Sequence, residues 1–424
     1  MVVQSSVPSE SPSPAGRDPR RLLQVIFDRA LRAVDGRAGV AAALQQSPIA
    51  GPVVLIAVGK AAQAMTEGAH EALGSQIRGG LVVSKAGHLL PSKLAGMGFD
   101  ALVGGHPIPD EGSLAAGGRL LETVAGADDA GTLLFLISGG ASSLLEVPAD
   151  GIGLPALRRL NAWLLGSGLP IEAVNRIRKA VSRIKGGGLL HFIEGRRTRA
   201  LAISDVPGDD PGAIGSGLLV PARDLAVSLR DLDLPTWLRA WVDAGLAERT
   251  EPRGAGPEIE LVATLPMAKH AAAEAARGLG LAVHLYERFV DGDAAARGRE
   301  LARQLIAGPP GLHVWGGETT VQLPKQPGQG GRNTHLALAA ALELAGREDC
   351  YLLSAGTDGT DGPTDDAGAL VDGGTLERAS LDGLDAAEAL RCADSGTLLE
   401  ASGDLIQTGP TGTNVMDLML GLRR

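Results

Sequence analysis

Cysteine is nearly missing from this chain: only Cys350 and Cys392 occur in 424 residues. They stand far apart and match no metal-ligand spacing, which excludes a disulfide framework and a zinc ribbon and suits free thiols in a reducing compartment. Aromatic residues make up 3% of the chain, too few for the stacking platforms that hold single-stranded nucleic acid. Positive charge is not in excess either. The net charge of −10 speaks against nucleic acid and against an anionic membrane surface. No stretch reaches the ~18 apolar residues of a membrane span. The first residues, MVVQSSVPSESPSPAG, lack a charged start and a long apolar stretch. They read as a disordered Ser/Pro-rich tail over 1–19, not a signal, and the expected location is the cytoplasm.

Several catalytic signatures are missing as well. No G-x-x-x-x-G-K-[ST] occurs, because Gly59-Lys60 is followed by Ala61. No G-x-G-x-x-G joins a strand to a helix, and there is neither a G-x-S-x-G elbow nor an H-E-x-x-H. A P-loop enzyme, a standard dinucleotide dehydrogenase, an α/β-hydrolase and a zincin all lose support.

What the chain has is glycine, 60 residues of it, placed after short apolar runs. The clearest case is 133–145, LLFLISGGASSLL. An apolar run broken by small residues reads as a strand buried on both faces, entering a tight turn. Ser142 or Ser143 would cap the helix that follows. Uncovered N–H groups around Ser138, Gly139, Gly140, Ser142 and Ser143 would make an anion site. Similar runs end at Gly59-Lys60, Ser84-Lys85, Gly104-Gly105-His106 and Ser204-Asp205, with helical stretches such as 61–73 and 113–125 between them. This alternation predicts an α/β fold with a mainly parallel sheet and ligands at the strand carboxyl ends. Residues 20–34 form an amphipathic helix. A second α/β region follows a composition shift near 250–260, with helices over 263–279, 293–306 and 334–345 and a short strand over 281–285.

The acidic segment 354–368, SAGTDGTDGPTDDAG, carries Asp358, Asp361, Asp365 and Asp366. Crowded carboxylates need a cation or hydrogen bonds to offset their repulsion, and hard oxygens of this kind suit Mg²⁺; a solvated acidic turn is the plainer alternative. Asp205, Asp209 and Asp210 form a second cluster open to the same two readings. Lys60, between a buried strand and a helix, aims an ammonium at the strand ends. Arg332, in a glycine-rich loop before a helix, suits bidentate contact with carboxylate or phosphate. The basic helix over 171–184 ends near Lys185. It is either a cationic wall for an anionic substrate or a helix end that complements its macrodipole. His106 is a candidate base or a turn histidine.

Taken in order, VGKAA at 58–62, GHPIPDEGS at 105–113, LISGGASSLL at 136–145, RIKGGGL at 183–189, ISDVPGDDPGAIGSG at 203–217, WGGETTV at 315–321, GGRN at 330–333, the 354–368 segment and TGPTGTNV at 408–415 resemble the class II glycerate 2-kinases. The resemblance implies an N-terminal three-layer Rossmann-like domain, here 20–257, and a smaller C-terminal leucine-rich MOFRL domain, here 258–424, with the active site in the cleft between them. It implies transfer of the γ-phosphoryl of ATP to the C2 hydroxyl of D-glycerate, by a monomer or homodimer. Lys60 and Arg332 are then active-site cations that neutralise the carboxylate and the moving phosphoryl. The glycine-serine loop would hold an anionic group, with Lys185, Glu318 and Asn333 beside it as cofactor-binding candidates, and which loops take nucleotide and which glycerate stays open. Asp358, Asp361 and Asp209 would hold Mg²⁺, and Asp205, preferred over Asp209, would take or orient the hydroxyl proton. The sequence departs from the common pattern at Ala180, Gly188, Thr334 and His335, where the family often has His, Arg, Gln and Glu. A reductase of hydroxypyruvate, which would need NAD(P)H, and a non-catalytic small-anion binder are the competing classes.

Overall fold

The computed structural model describes residues 18–249 and 256–424. Most of the tail expected over 1–19 and most of the boundary near 250–260 lie outside the described residues. The chain folds as two compact units: one of residues 34–265 and 410–416, the other of residues 18–33, 266–409 and 417–424.

The first unit is built on β1 (Val53–Val58), β2 (Ile77–Ser84), β3 (Phe99–Val103), β4 (Thr132–Ile137), β5 (Arg197–Ile203) and β6 (Ile259–Ala263). All adjacent strands are parallel, in the order β3-β2-β1-β4-β5-β6. β4 is buried at every residue, which is why its sequence runs apolar without alternation. Side chains from β1, β2, β4 and β5 share one core with helix Glu111–Ala125; Phe135, Ile137 and Leu120 lie within it. The order reverses between β1 and β4, the place where open α/β sheets open a crevice. Val58 pairs with Ile137, and Ile137 with Ala202. The turns carrying Lys60, Ser138 and Asp205 therefore leave the sheet at one level.

The second unit holds β7 (Val283–Asp293), β8 (Gly311–Thr320), β9 (Cys350–Gly356), β10 (Gly368–Asp372), β11 (Leu405–Ile406) and β12 (Asp417–Arg423). Their order is β11-β10-β9-β12-β8-β7, antiparallel except for the β7–β8 pair. Helices Ala294–Ala307 and Arg332–Leu344 pack in the core on this sheet.

The expected division at 257/258 is corrected in two places. β6 joins the first sheet beside β5, so the first unit runs on to 265. Helix Pro19–Ala33 belongs to the second unit, because its apolar stripe of Leu23, Ile26, Phe27 and Ala30 packs with Leu312, Val314, Leu353 and Leu420. Amphipathic spacing shows that a helix buries one face; it does not show against which sheet. Arg20 reinforces the docking by pairing with Asp372 and, at 2.7 Å, with Asp404. The strand expected over 281–285 runs on to Asp293. The basic helix stops at Ala180, and Ser182 instead bridges to Pro148.

Phe27 is 1% exposed. Phe27→Ala is expected to lower unfolding stability by roughly 3–5 kcal/mol, the cost of a lost core ring and its cavity. Denaturant unfolding followed by tryptophan fluorescence checks this; a loss below ~1 kcal/mol would remove the helix from the core.

Candidate active site

Close backbone approach shapes the glycine-serine loop. A side chain on Gly139 would place its first carbon 2.0 Å from Asn414 Nδ2 and 2.2 Å from Asp205 Oδ2. The loop is thus wedged against a carboxylate and an amide that the sequence sets far away. Asn414 Nδ2 lies 3.4 Å from Asp205 Oδ2. Gly59, at φ +125°, has no room for a side chain beside Ser138.

The serines do other work than expected. Ser138 Oγ accepts from the Ala61 N–H at 3.1 Å, and the Lys60 N–H donates to Gly139 O at 2.9 Å. These bonds lock the Lys60 turn to the loop. Ser142 Oγ lies 2.7 Å from Ser216 Oγ, and Ser143 Oγ donates to Gly140 O. The expected serine cap is corrected: the short helix Ala141–Leu144 is preceded by Gly140 at φ +85° with no side-chain cap. A left-handed turn into the helix selects glycine there.

Beside this loop lies a cavity of about 240 Å³, lined by His106, Ser142, Glu146, Arg178, Lys185 and Asp205, among others. Lys185 is 2% exposed, and its ammonium pairs with buried Glu146. Glu146 also accepts from Ser182 Oγ at 2.6 Å. Lys185 is therefore a neutralised wall of the cavity. Arg178 donates to Asn161 Oδ1 at 3.2 Å. Asp209, at φ +57°, has a buried Oδ1 without a hydrogen-bond partner. Asp210 caps the Gly212 N–H at 2.9 Å.

In the second unit, Arg332 forks onto Asp417, with Nε–Oδ2 2.6 Å and Nη2–Oδ1 2.9 Å, and its Nη1 lies 3.1 Å from Glu318 Oε1. Asp417 has no exposed surface. Burial alone would lower the Arg332 pKa, but Asp417 and Glu318 raise it above the ordinary value, so the guanidinium is held charged. A side chain on Gly356 would meet both Asp358 Oδ1, at 3.3 Å, and Asp417 Oδ1, at 3.5 Å, so these two carboxylates flank one strand end. Asp358 Oδ1 accepts from the Thr360 N–H at 3.0 Å.

Asp361 has a different job. Its Oδ1 accepts from the Asn333 N–H at 2.9 Å, and its Oδ2 from the Thr334 N–H and Oγ1 at 2.8 and 2.9 Å. It caps helix Arg332–Leu344 from a distant loop and so places Arg332. Asn333 is 1% exposed and accepts from Ser354. Asp361, expected as a metal ligand, and Asn333, expected as a cofactor contact, both stand in this capping network. Among the described residues, no three or more His, Cys, Asp or Glu side chains are grouped to hold a metal ion.

Sequence reasoning missed Glu146, Asn161 and Asp417. Asp417 had a visible signal: one acid inside the apolar run VMDLMLGL, where a buried charge demands a partner.

Residues 22–232 match a domain of unknown function, DUF4147, and residues 311–417 match the MOFRL family. The D-glycerate 2-kinase of Thermotoga maritima is 39% identical over 382 residues, 87% of this chain and 90% of that one. The chain belongs to the glycerate kinase family. The glycerate 2-kinase of Pyrococcus horikoshii, 34% identical over 88% of each chain, is a further relative. A protein of Agrobacterium vitis provisionally named a hydroxypyruvate reductase is 37% identical over 94% of this chain and 93% of its own. The crystal structure of the Thermotoga maritima glycerate kinase superposes with a TM-score of 0.82 over 96% of this chain and 99% of that one. This chain is an enzyme of that kinase family, with the three-layer parallel unit and the smaller MOFRL unit that the motifs implied.

Burial raises the Asp361 pKa to about 6, against hydrogen bonds from Thr334 and Asn333 that lower it. A carboxyl whose folded pKa exceeds its unfolded value contributes stability that is full below about pH 4 and is lost as pH rises through 6. The stability advantage of the native chain over Asp361→Asn should accordingly be larger at pH 4 than at pH 7. Equal differences in urea unfolding at the two pH values would contradict this.

Proposed function

We propose that the chain phosphorylates D-glycerate at its C2 hydroxyl, using ATP and releasing ADP and 2-phosphoglycerate. The observation that carries the reading is the loop 138–143, pinned to Lys60 and wedged against Asp205 at one end of a small cavity. Phosphoryl transfer asks a protein mainly to position its reactants and to neutralise charge. Asp205 stands at the cavity as the carboxylate to orient or accept the hydroxyl proton. Lys60, held by the loop, and Arg332, held charged by Asp417, are the cations for phosphoryl oxygens, with Glu318 steadying Arg332. The backbone of Gly139 and Gly140 and the Ser142 and Ser143 turn bound the anionic group.

Mg²⁺ commonly binds through only one or two carboxylates when phosphates complete its shell. Asp358, beside the Gly356 strand end, and Asp209, with its buried unpartnered oxygen, fit that requirement. Asp361 would join them only with lone pairs left over from its bonds to the helix N–H groups. Bound there, Mg²⁺ would supply charge neutralisation on the phosphate chain. No helix among the described residues is long and apolar enough to cross a membrane. Cys350 and Cys392 are both free thiols, which suits the cytoplasm.

A coupled assay of ADP release with D-glycerate, with and without Mg²⁺, tests the reading. NADH oxidation with hydroxypyruvate in its place would support the reductase class. Lys60→Ala should cut turnover by about 10²–10³-fold without shifting the melting temperature; Arg332→Lys, which keeps the charge opposite Asp417 but loses the fork, should cut turnover by a similar factor in a chain that still folds. Normal turnover in both variants would reject these roles.

A further inference from the structure

We propose that Arg178 makes the enzyme choose an acid as its phosphoryl acceptor, by pairing its guanidinium with the acceptor's carboxylate inside the cavity that also contains Asp205. This rests on the kinase reading above and adds to it the group that reads the substrate. It assigns the carboxylate to neither Lys60 nor Arg332.

The charges lining the cavity carry the inference. Lys185 and Glu146, with side chains 2% and 4% exposed, neutralise each other, and the second Glu146 oxygen is taken by Ser182. Neither is left to recognise an ion. Arg178 lines the same cavity and is in a different state. Its guanidinium bonds the neutral Asn161 Oδ1 through Nη2, and among the described residues it makes no ion pair. Five N–H donors in a planar fork, with one given to an amide, remain matched to a carboxylate.

A partly buried guanidinium with a neutral partner carries an uncompensated desolvation cost, and burial does lower the Arg178 pKa, opposed only by the charge of Glu146. An incoming carboxylate offsets that cost, and a neutral polyol does not. The bland role for a cation in the last turn of helix Ile171–Ala180 is to cover that helix's own end carbonyls. Arg178 does not do so: its hydrogen bond crosses to Asn161 of helix Leu154–Gly166.

The second feature is what shares the space. Asp205 lines the cavity too, with its Oδ2 against the Gly139 backbone. A site that offers a cation and a carboxylate suits a molecule bearing an acid and a hydroxyl. At about 240 Å³ it suits a three-carbon hydroxy acid and is small for a whole nucleotide.

The test combines binding and kinetics on the full chain. Calorimetry without ATP should show D-glycerate binding to the wild type, and about 100-fold weaker binding to Arg178→Met, the scale expected when one partner of a buried charge pair is truncated. Glycerol serves as the uncharged control and should bind both equally poorly. In steady state, the KM for D-glycerate should rise by a similar factor, more in Arg178→Met than in Arg178→Lys, while the KM for ATP stays within about threefold. Melting temperatures of both variants show whether they fold. An unchanged glycerate KM in Arg178→Met, or an equal rise in the KM for ATP, overturns the proposal and leaves the kinase reading standing. Arg178-dependent glycerate binding by a wild type that releases no ADP would sink the kinase reading and keep this one. If the Met variant does not fold, Arg178→Lys decides, with an unchanged glycerate KM counting against the proposal.

Discussion

A carboxylate with no exposed surface cannot stay charged without a cation against it, and Asp417 meets that demand with Arg332. Breaking one half of such a pair is expensive, on the order of 3–5 kcal/mol, because the other half is left stranded. The pair therefore acts as a geometric constraint more than as a source of net stability. It fixes the guanidinium by two bonds, and Asp361 fixes the helix on which Arg332 rides. The same logic operates in the other unit, where Glu146 and Lys185 share burial. Each unit thus holds one cation that is spent on structure or held in a fixed direction. That distinction decides which cation remains available for a ligand.

The sheets explain how such constraints arise from an alternating chain. Parallel pairing in register brings Val58, Ile137 and Ala202 to one level, so the three turns that follow meet without any long-range signal in the sequence. The turns then need room. Gly59 and Gly139 supply it, since a methyl group at either position would overlap Ser138, Asp205 or Asn414. Glycine at these two places is a packing requirement.

Legibility followed the range of each interaction. Runs such as 133–137 and helices such as 154–165 depend on local spacing, and the structure repeats them nearly residue for residue. The first helix was visible as a helix, but its partner was not, because core partners such as Leu353 and Leu420 come more than 300 positions later. The site divided the same way. Lys60, Asp205 and the glycine loop stand at strand ends, where pattern alone points. The roles of Asp361, Asn333 and Lys185 depended on tertiary partners. A carboxylate in a glycine-rich acidic stretch gives no sign in the sequence that a distant helix start bonds to it.

The departures from the family's common pattern become intelligible on the same terms. Thr334 is buried and bonds Asp361, Ser395 and the Gly331 backbone; it completes a helix start and has no free face for substrate. Ala180 is fully buried, and its carbonyl lies where a side chain on Gly245 would stand. At Gly188 a first side-chain carbon would lie 2.2 Å from the Arg183 carbonyl. The turn there is instead tied by Arg249, which donates to the carbonyls of Lys179, Ser182, Lys185 and Gly186. An arginine from a later helix end thus holds the segment in which the family often has its own arginine. The replacements stand at the end of helix Ile171–Ala180, in the turn after Lys185 and at the start of the helix that carries Arg332.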